Sequence, residues 1–201
     1  MTGVSGTEGY EAEADRLAEM YESVDFDQSI HLIRDFLPPP GSSVLDIGAG
    51  TGRDAAGFHR LGYRVTAVEP TAALRAHGMR LHAAAAITWI DDALPDLIES
   101  RRLGRRYEFI LLRAVWMHLD ARQRETAMPN LGALAAPSGL LFLTLRYGPV
   151  PPGRRMFTVT AEETRDLAAR AGFDIVFEER HGDSFGREGV RWTSLLFRKS
   201  G

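Results

Sequence analysis

The residues best suited to chemistry begin with Asp46, followed by Gly48, Gly50 and Gly52 at alternate positions, in the stretch Ser42-Ser43-Val44-Leu45-Asp46-Ile47-Gly48-Ala49-Gly50-Thr51-Gly52-Arg53-Asp54. Glycine has no Cβ, so a ligand can approach the backbone closely, and a helix starting behind the glycines offers unpaired N–H donors. Such a corner cradles a phosphate or a ribose. Glu69 follows roughly 20 residues on, where an acidic side chain can accept hydrogen bonds from both ribose hydroxyls of a bound nucleoside. His118 is the natural general-base candidate, because imidazole titrates near neutral pH. Packing or helix capping is its other reading. Arg146, Arg154 and Arg155 could hold a carboxylate or phosphate through bidentate contacts, with surface solvation an alternative for the last two.

These residues need a frame. The run 42–47 is apolar enough for a buried strand, and 55–61 behind the glycines has helical spacing. Strand, glycine turn and helix in that order form the ligand corner of a doubly wound α/β sheet. Further strands are expected at 62–70, 87–90, 107–113 and 140–145, with 173–178 and 190–197 as a closing antiparallel pair around a mobile loop at 182–189. Helices are expected at 10–20, 27–36, 72–82, 121–135 and 161–171. Pro38-Pro39-Pro40-Gly41 ends the second, Thr71 caps the third, and Thr160 with Glu163 reads as a capping box. Residues 1–9 are expected to be frayed, and 96–106 a solvated Arg-rich connector. The boundary falls at 41: residues 1–41 are a helical cap, either covering the sheet edge or acting as a lid with Tyr10 or Tyr21 on its inner face, and 42–201 are the core.

The glycine spacing decides between ligand classes. A dinucleotide site takes G-x-G-x-x-G, and here Arg53 stands where the last glycine belongs. An acidic residue two positions before G-x-G-x-G resembles motif I of the class I S-adenosylmethionine-dependent methyltransferases. The stretch Ala114-Val115-Trp116-Met117-His118-Leu119 resembles motif IV of the small-molecule members, where a hydrophobic pair and one or two His precede a helix. The resemblance covers about residues 42–198. It implies a seven-stranded, mostly parallel sheet of order 3-2-1-4-5-7-6, last strand antiparallel, with helices on both faces. It implies S-adenosyl-L-methionine as cofactor, held by Asp46, Gly48, Ala49, Gly50, Gly52, Arg53, Asp54, Glu69, Pro70, Arg113 and Ala114, with Tyr21 from the cap. In the family an Asp and a small residue after the third strand read the adenine. Asp92-Ala93 match that position, with Asp91 the alternative.

Composition narrows the class. At 201 residues, 44% hydrophobic and 25% charged, the chain fits one globular domain. There is no Cys, hence no disulfide framework, thiolate metal site or cysteine nucleophile, and no metal is expected. A net charge of -3 gives no electrostatic pull toward nucleic acid. No apolar run approaches membrane-span length and the polar start lacks a signal-peptide core, so a cytoplasmic protein is expected, monomer or homodimer. Methyl transfer needs the nucleophile in line with the donor and water excluded, with a base only where the acceptor must lose a proton. A missing Cys excludes cytosine C5 chemistry. Arg113-Ala114-Val115-Trp116 stands where amino methylation of bases usually has an Asn/Asp-Pro-Pro-Tyr/Phe signature. A small-molecule acceptor is therefore expected, with a nucleic-acid or protein methyltransferase, or a non-catalytic cofactor-binding member of the fold, as alternatives. Trp116, Arg146, Tyr147 and Arg154 are its expected contacts, and the stiff loop 146–157 is a candidate wall whose Arg residues suit an anionic group.

Overall fold

The computed structural model describes residues 4–201. Its strands are β1 (Ser43–Ile47), β2 (Arg64–Val68), β3 (Ile87–Ile90), β4 (Tyr107–Leu112), β5 (Ala135–Tyr147), β6 (Phe173–Gly182) and β7 (Arg191–Lys199). They form one seven-stranded sheet of order β3-β2-β1-β4-β5-β7-β6. β1 to β5 pair in parallel, and β7 runs antiparallel to both β5 and β6. The strands of the sheet centre are buried on both faces, which is why Val44, Leu45, Ile110 and Leu111 form apolar runs rather than an alternating pattern.

The helices are α1 (Ala14–Glu22), α2 (Phe26–Ile30), α3 (Arg53–Arg60), α4 (Ala72–Leu81), α5 (Ile98–Arg102), α6 (Ala121–Leu134) and α7 (Ala161–Arg170). One sheet face is covered by α2 and α3, where Phe26, Ile30 and Phe58 meet Val44, Val65 and Phe109. The other is covered by α6, α7 and the 3-10 turn Trp116–His118, where Met128, Leu131 and Leu167 meet Ile110, Leu141 and Leu143. α1 lies on α4 through Ala14, Leu17 and Leu74. Among the described residues no helix is long and apolar enough to cross a membrane.

Several local expectations are corrected. The helix expected at 27–36 is the short α2 followed by a 3-10 turn, Arg34–Phe36. Ser29 Oγ donates to Phe26 O at 2.7 Å and the His31 ring lies 2.6 Å from Gln28 O, so side chains compete for the carbonyls that would continue the helix. The first helix starts at Ala14 rather than residue 10. Residues 4–9 form turns packed on the body instead of fraying, while residues 1–3 of that expected frayed end lie outside the described residues. The connector 96–106 carries α5, though its four Arg are exposed as expected. Thr71 heads α4 without a side-chain cap bond. Thr160 caps α7 through Glu163 N, but the Glu163 carboxylate turns to Arg124, so the box is half made. A complete capping box forms instead between Asp120 and Gln123 at the start of α6. β5 begins early because Ala135 already pairs with Tyr107, with an irregularity before Leu140 rejoins Phe109.

Candidate active site

The carboxyl ends of the central strands open into one continuous cavity of about 550 Å3, within the range of small-ligand sites. β1 carries Asp46 to its wall. The chain then turns at Gly48 with φ of 71°, and a Cβ there would come within 2.5 Å of Val115 Cγ2. The N–H groups of Gly48 and Ala49 donate to Val68 O at 2.8 and 3.0 Å, and that of Gly52 to Ala49 O at 2.8 Å. Gly50 N donates to Glu69 Oε2 at 2.8 Å. These four N–H groups are therefore taken by the chain itself. The glycine turn itself thus offers a ligand close approach rather than donors of its own.

Glu69 directly follows β2 and is buried. Its other oxygen, Oε1, accepts from Thr71 N at 2.8 Å. Burial pushes its pKa up, against the pull of these backbone donors. Each carboxylate oxygen keeps a lone pair for a further donor. Pro70 lies beside it on the cavity wall. Beyond β3, Asp92 lines the cavity with Ala93, its Oδ2 accepting from Ser100 N and Oγ at 2.7 and 2.8 Å and its Oδ1 from Ala93 N at 2.9 Å. Asp91 is not on the wall. It is 68% exposed and pairs with Arg75 at 2.7 Å.

Under the glycine corner, two guanidiniums converge on Asp54. Arg53 Nη2 reaches Oδ1 at 2.8 Å and Arg113 Nε reaches Oδ2 at 2.7 Å. The same arginines donate to Tyr21 O and Ser29 O, at 3.2 and 2.8 Å, and so fasten the N-terminal helices to the core. Burial alone would raise the Asp54 pKa, but Arg113 and Arg53 outweigh it and hold it low. Asp46 has no such partner among the described residues, where its Oδ2 is buried with no hydrogen bond. Burial first, and the Asp54 charge second, raise its pKa to about 8. Ala114 follows Arg113 with φ of 58°, a left-handed conformation costly for a residue with a Cβ, and its N–H donates to Thr144 Oγ1 at 2.8 Å. No signal in the sequence marked that strain.

The far end of the cavity is built by His118, Tyr10 and Thr7, by Arg146 at the end of β5, by Arg154 and Met156 after it, and by Arg187 and Trp192 around β7. His118 Nδ1 lies 2.8 Å from Arg155 O and Nε2 lies 3.0 Å from Tyr10 Oη. Burial lowers the His118 pKa, which favours the neutral ring. Arg146 is 8% exposed; it donates from Nη1 to Pro149 O at 2.9 Å, while its Nε has no partner among the described residues. Burial, and then the charge of Arg187, lower its pKa from the usual guanidinium value. Arg154 is buried too, not solvated, and pairs with Glu13 at 2.8 Å. The loop expected to be mobile at 182–189 is tied by Asp183, which accepts from Arg187, from Trp192 Nε1 and from two backbone N–H groups.

Most residues expected at the site thus line this cavity: Asp46, Gly48, Ala49, Gly50, Arg53, Asp54, Glu69, Pro70, Asp92, Ala93, Arg113, Ala114, Tyr21, His118, Arg146 and Arg154. Three lie elsewhere. Gly52 packs against Trp89, whose ring a Cβ would meet at 2.6 Å, and its φ of 78° starts α3. Trp116 is fully buried in the core, because positions two apart in a 3-10 turn point to different faces and His118 takes the cavity side. Tyr147 packs against the core, opposite Arg146, as strand alternation requires.

A family model described as a methyltransferase domain matches residues 21–178. The chain belongs to the class I S-adenosylmethionine-dependent methyltransferases. Its cofactor is S-adenosyl-L-methionine, and the sheet order is that of the family. Among solved structures, the methyltransferase fold is shared with a 1,6-didemethyltoxoflavin-N1-methyltransferase from Burkholderia thailandensis bound to 1,6-didemethyltoxoflavin and S-adenosylhomocysteine, at 19% identity and TM-score 0.73, covering 96% of this chain and 86% of that one. A magnesium protoporphyrin IX methyltransferase from Synechocystis with bound S-adenosylmethionine aligns at 17% identity and TM-score 0.68, covering 96% and 85%. A TehB-like methyltransferase from Corynebacterium glutamicum aligns at 18% identity and TM-score 0.69, covering 94% and 99%. No curated protein matches by sequence.

Proposed function

We propose that this methyltransferase acts on a small-molecule acceptor that carries an anionic group. The observation that carries the reading is that two buried charged side chains line one cavity without an ion-pair partner among the described residues: Asp46 on β1 and Arg146 on β5. A buried polar atom without a partner is costly, and a ligand that supplies the partner recovers that cost.

The residues present fit S-adenosyl-L-methionine. The Asp46 carboxylate on the cavity wall suits the ammonium of its amino-acid part, and the spare lone pairs of Glu69 suit its two ribose hydroxyls. Asp92 and Ala93 line the same cavity, which supports giving them the adenine edge. When bound, the cofactor supplies an electrophilic methyl carbon on a sulfonium. The chain's part is to hold the acceptor's nucleophilic atom in line with that carbon and to keep water out. Residues 4–41 serve as the cap over the 42–201 core, with Tyr21 over Gly50 and the arginines of the Asp54 cluster as its fastenings.

Acceptor size and charge rest on the far end. It is walled by residues 4–7 and Tyr10 as well as by the 182–189 loop, which suits a small molecule better than a polymer. Two of the structural relatives are named for small aromatic or macrocyclic substrates. Arg146 has no carboxylate partner among the described residues, whereas Arg154 pairs with Glu13 and Arg187 with Asp183. An anionic group on the acceptor would fill that vacancy.

The test is to incubate the protein with methyl-labelled S-adenosylmethionine and the small-molecule fraction of a cell extract. The expected result is label in low-mass anionic products. Label only in added protein or nucleic acid, or only in cationic products, would overturn the acceptor class.

A further inference from the structure

Residues 4–13 precede α1 and contribute nothing to the sheet, yet they are fastened along the cavity. Gly6 packs on His118, so that a Cβ there would lie 3.3 Å from the His118 Cβ and carbonyl oxygen. Arg154 stands 4.2 Å over the Tyr10 ring while pairing with Glu13 at 2.8 Å. These contacts hold the Tyr10 ring edge-on to His118, with centroids 5.6 Å apart. That orientation sets the Tyr10 hydroxyl 3.0 Å from His118 Nε2, where it satisfies the buried O–H and also joins the phenol to the imidazole on the cavity wall.

The hydrogen-bond chemistry assigns a direction. A backbone carbonyl only accepts, so the 2.8 Å contact with Arg155 O puts the proton on His118 Nδ1. His118 Nε2 then carries a lone pair, and Tyr10 donates its hydroxyl proton to it. The phenolic oxygen keeps its own lone pairs, and both side chains lie on the cavity wall.

We propose that Tyr10 and His118 act together as the proton acceptor of the transfer, with Tyr10 the group that touches the acceptor, and that the acceptor therefore attacks through an N–H or O–H group. This rests on the methyltransferase assignment and the acceptor reading above. In the step, the acceptor's nitrogen or oxygen bonds the methyl carbon as the carbon–sulfur bond breaks and its electron pair stays on sulfur. The acceptor's proton moves to Tyr10 Oη while the Tyr10 proton moves to His118 Nε2. The imidazolium formed is held at Nδ1 by Arg155 O and loses its proton to solvent after product leaves. The charged groups around His118 are Glu8 from the N-terminal segment, which favours the imidazolium, and Arg154 and Arg146, which oppose it; burial also opposes it. Tyr10 itself is kept protonated by burial, so it acts as a relay and not as a standing phenolate.

The test uses Tyr10→Phe, which keeps the ring and its Arg154 contact, and His118→Asn, which keeps a donor for Arg155 O. Both should bind S-adenosylhomocysteine within about threefold of wild type. Each should lose roughly 100-fold or more of labelled-methyl turnover on the small-molecule extract. The double variant should be little worse than either single one, because the two act as a unit. Independently of turnover, nitrogen-15 imidazole spectra of the S-adenosylhomocysteine-bound protein should show His118 protonated on Nδ1. Tyr10→Phe should raise its titration midpoint, since the neutral ring loses its donor. Turnover in Tyr10→Phe within twofold of wild type, or a midpoint that does not move, overturns the proposal. Failure of wild type to bind S-adenosylhomocysteine would overturn the cofactor reading instead.

Discussion

Asp46→Asn separates stability from function at one atom. Burial raises the Asp46 pKa to about 8, from an ordinary carboxylate value of 3.8. An acid with a raised folded-state pKa keeps its proton longer when folded, so its contribution favours folding below the unfolded value and is lost as pH rises toward the folded one. Between pH 4 and 8 each unit costs the folded state up to about 1.4 kcal/mol, an upper bound of roughly 5 kcal/mol by pH 8 that sharing of charge with Asp54 reduces. Asn carries no such penalty. Ligand-free Asp46→Asn should therefore melt several degrees above wild type at pH 8 and level with it near pH 4. The variant should also lose S-adenosylhomocysteine binding, because the ammonium loses its counter-charge. In wild type, binding should ionise Asp46, whose pKa burial raises, and release protons at pH 7. Calorimetry in phosphate and in Tris reads that release as the difference in observed heat. A heat that does not depend on the buffer, together with a melting gap that does not change with pH, would refute the reasoning.

Other consequences are as specific. Glu69→Ala should weaken S-adenosylhomocysteine binding by roughly 1–3 kcal/mol in a folded protein, measured by calorimetry, since a charged partner of the ribose is lost. Arg146→Ala should leave that binding intact while lowering acceptor kcat/KM by about 2 kcal/mol or more in steady-state assays. Asp54→Asn leaves Arg53 and Arg113 without their shared carboxylate and should cost roughly 3–5 kcal/mol in denaturant unfolding. The folded-state pKa of Asp54 is held low, so its stabilisation is present at neutral pH and is lost as pH falls below the ordinary carboxylate range.

The glycine corner and the strand order were legible because they are local or come with the resemblance: Asp46, Gly48, Gly50 and Glu69 lie within one strand–turn–helix–strand unit. What the sequence hid was long-range. The contact of Tyr10 with His118 spans 108 positions and that of Arg113 with Asp54 spans 59, and no periodicity records either. Neighbours in sequence also misled. Trp116 and His118 were both expected at the site, and so were Arg146 and Tyr147, but turn and strand geometry point only one of each pair at the cavity. The unpaired state of Asp46 Oδ2 follows from three-dimensional burial alone, so the residue type could be read while its pKa could not. The N–H groups of the glycine turn itself, at Gly48, Ala49, Gly50 and Gly52, are consumed by Val68, Glu69 and Ala49, partners that a motif does not display.

The central claim is that this cavity holds a sulfur nucleoside and not a dinucleotide. Isothermal calorimetry with S-adenosylhomocysteine and, separately, with NADH tests it most directly. The account predicts one site per chain with micromolar affinity for S-adenosylhomocysteine, about -8 kcal/mol, and no saturable heat with NADH. Saturable NADH binding with no response to S-adenosylhomocysteine would contradict it.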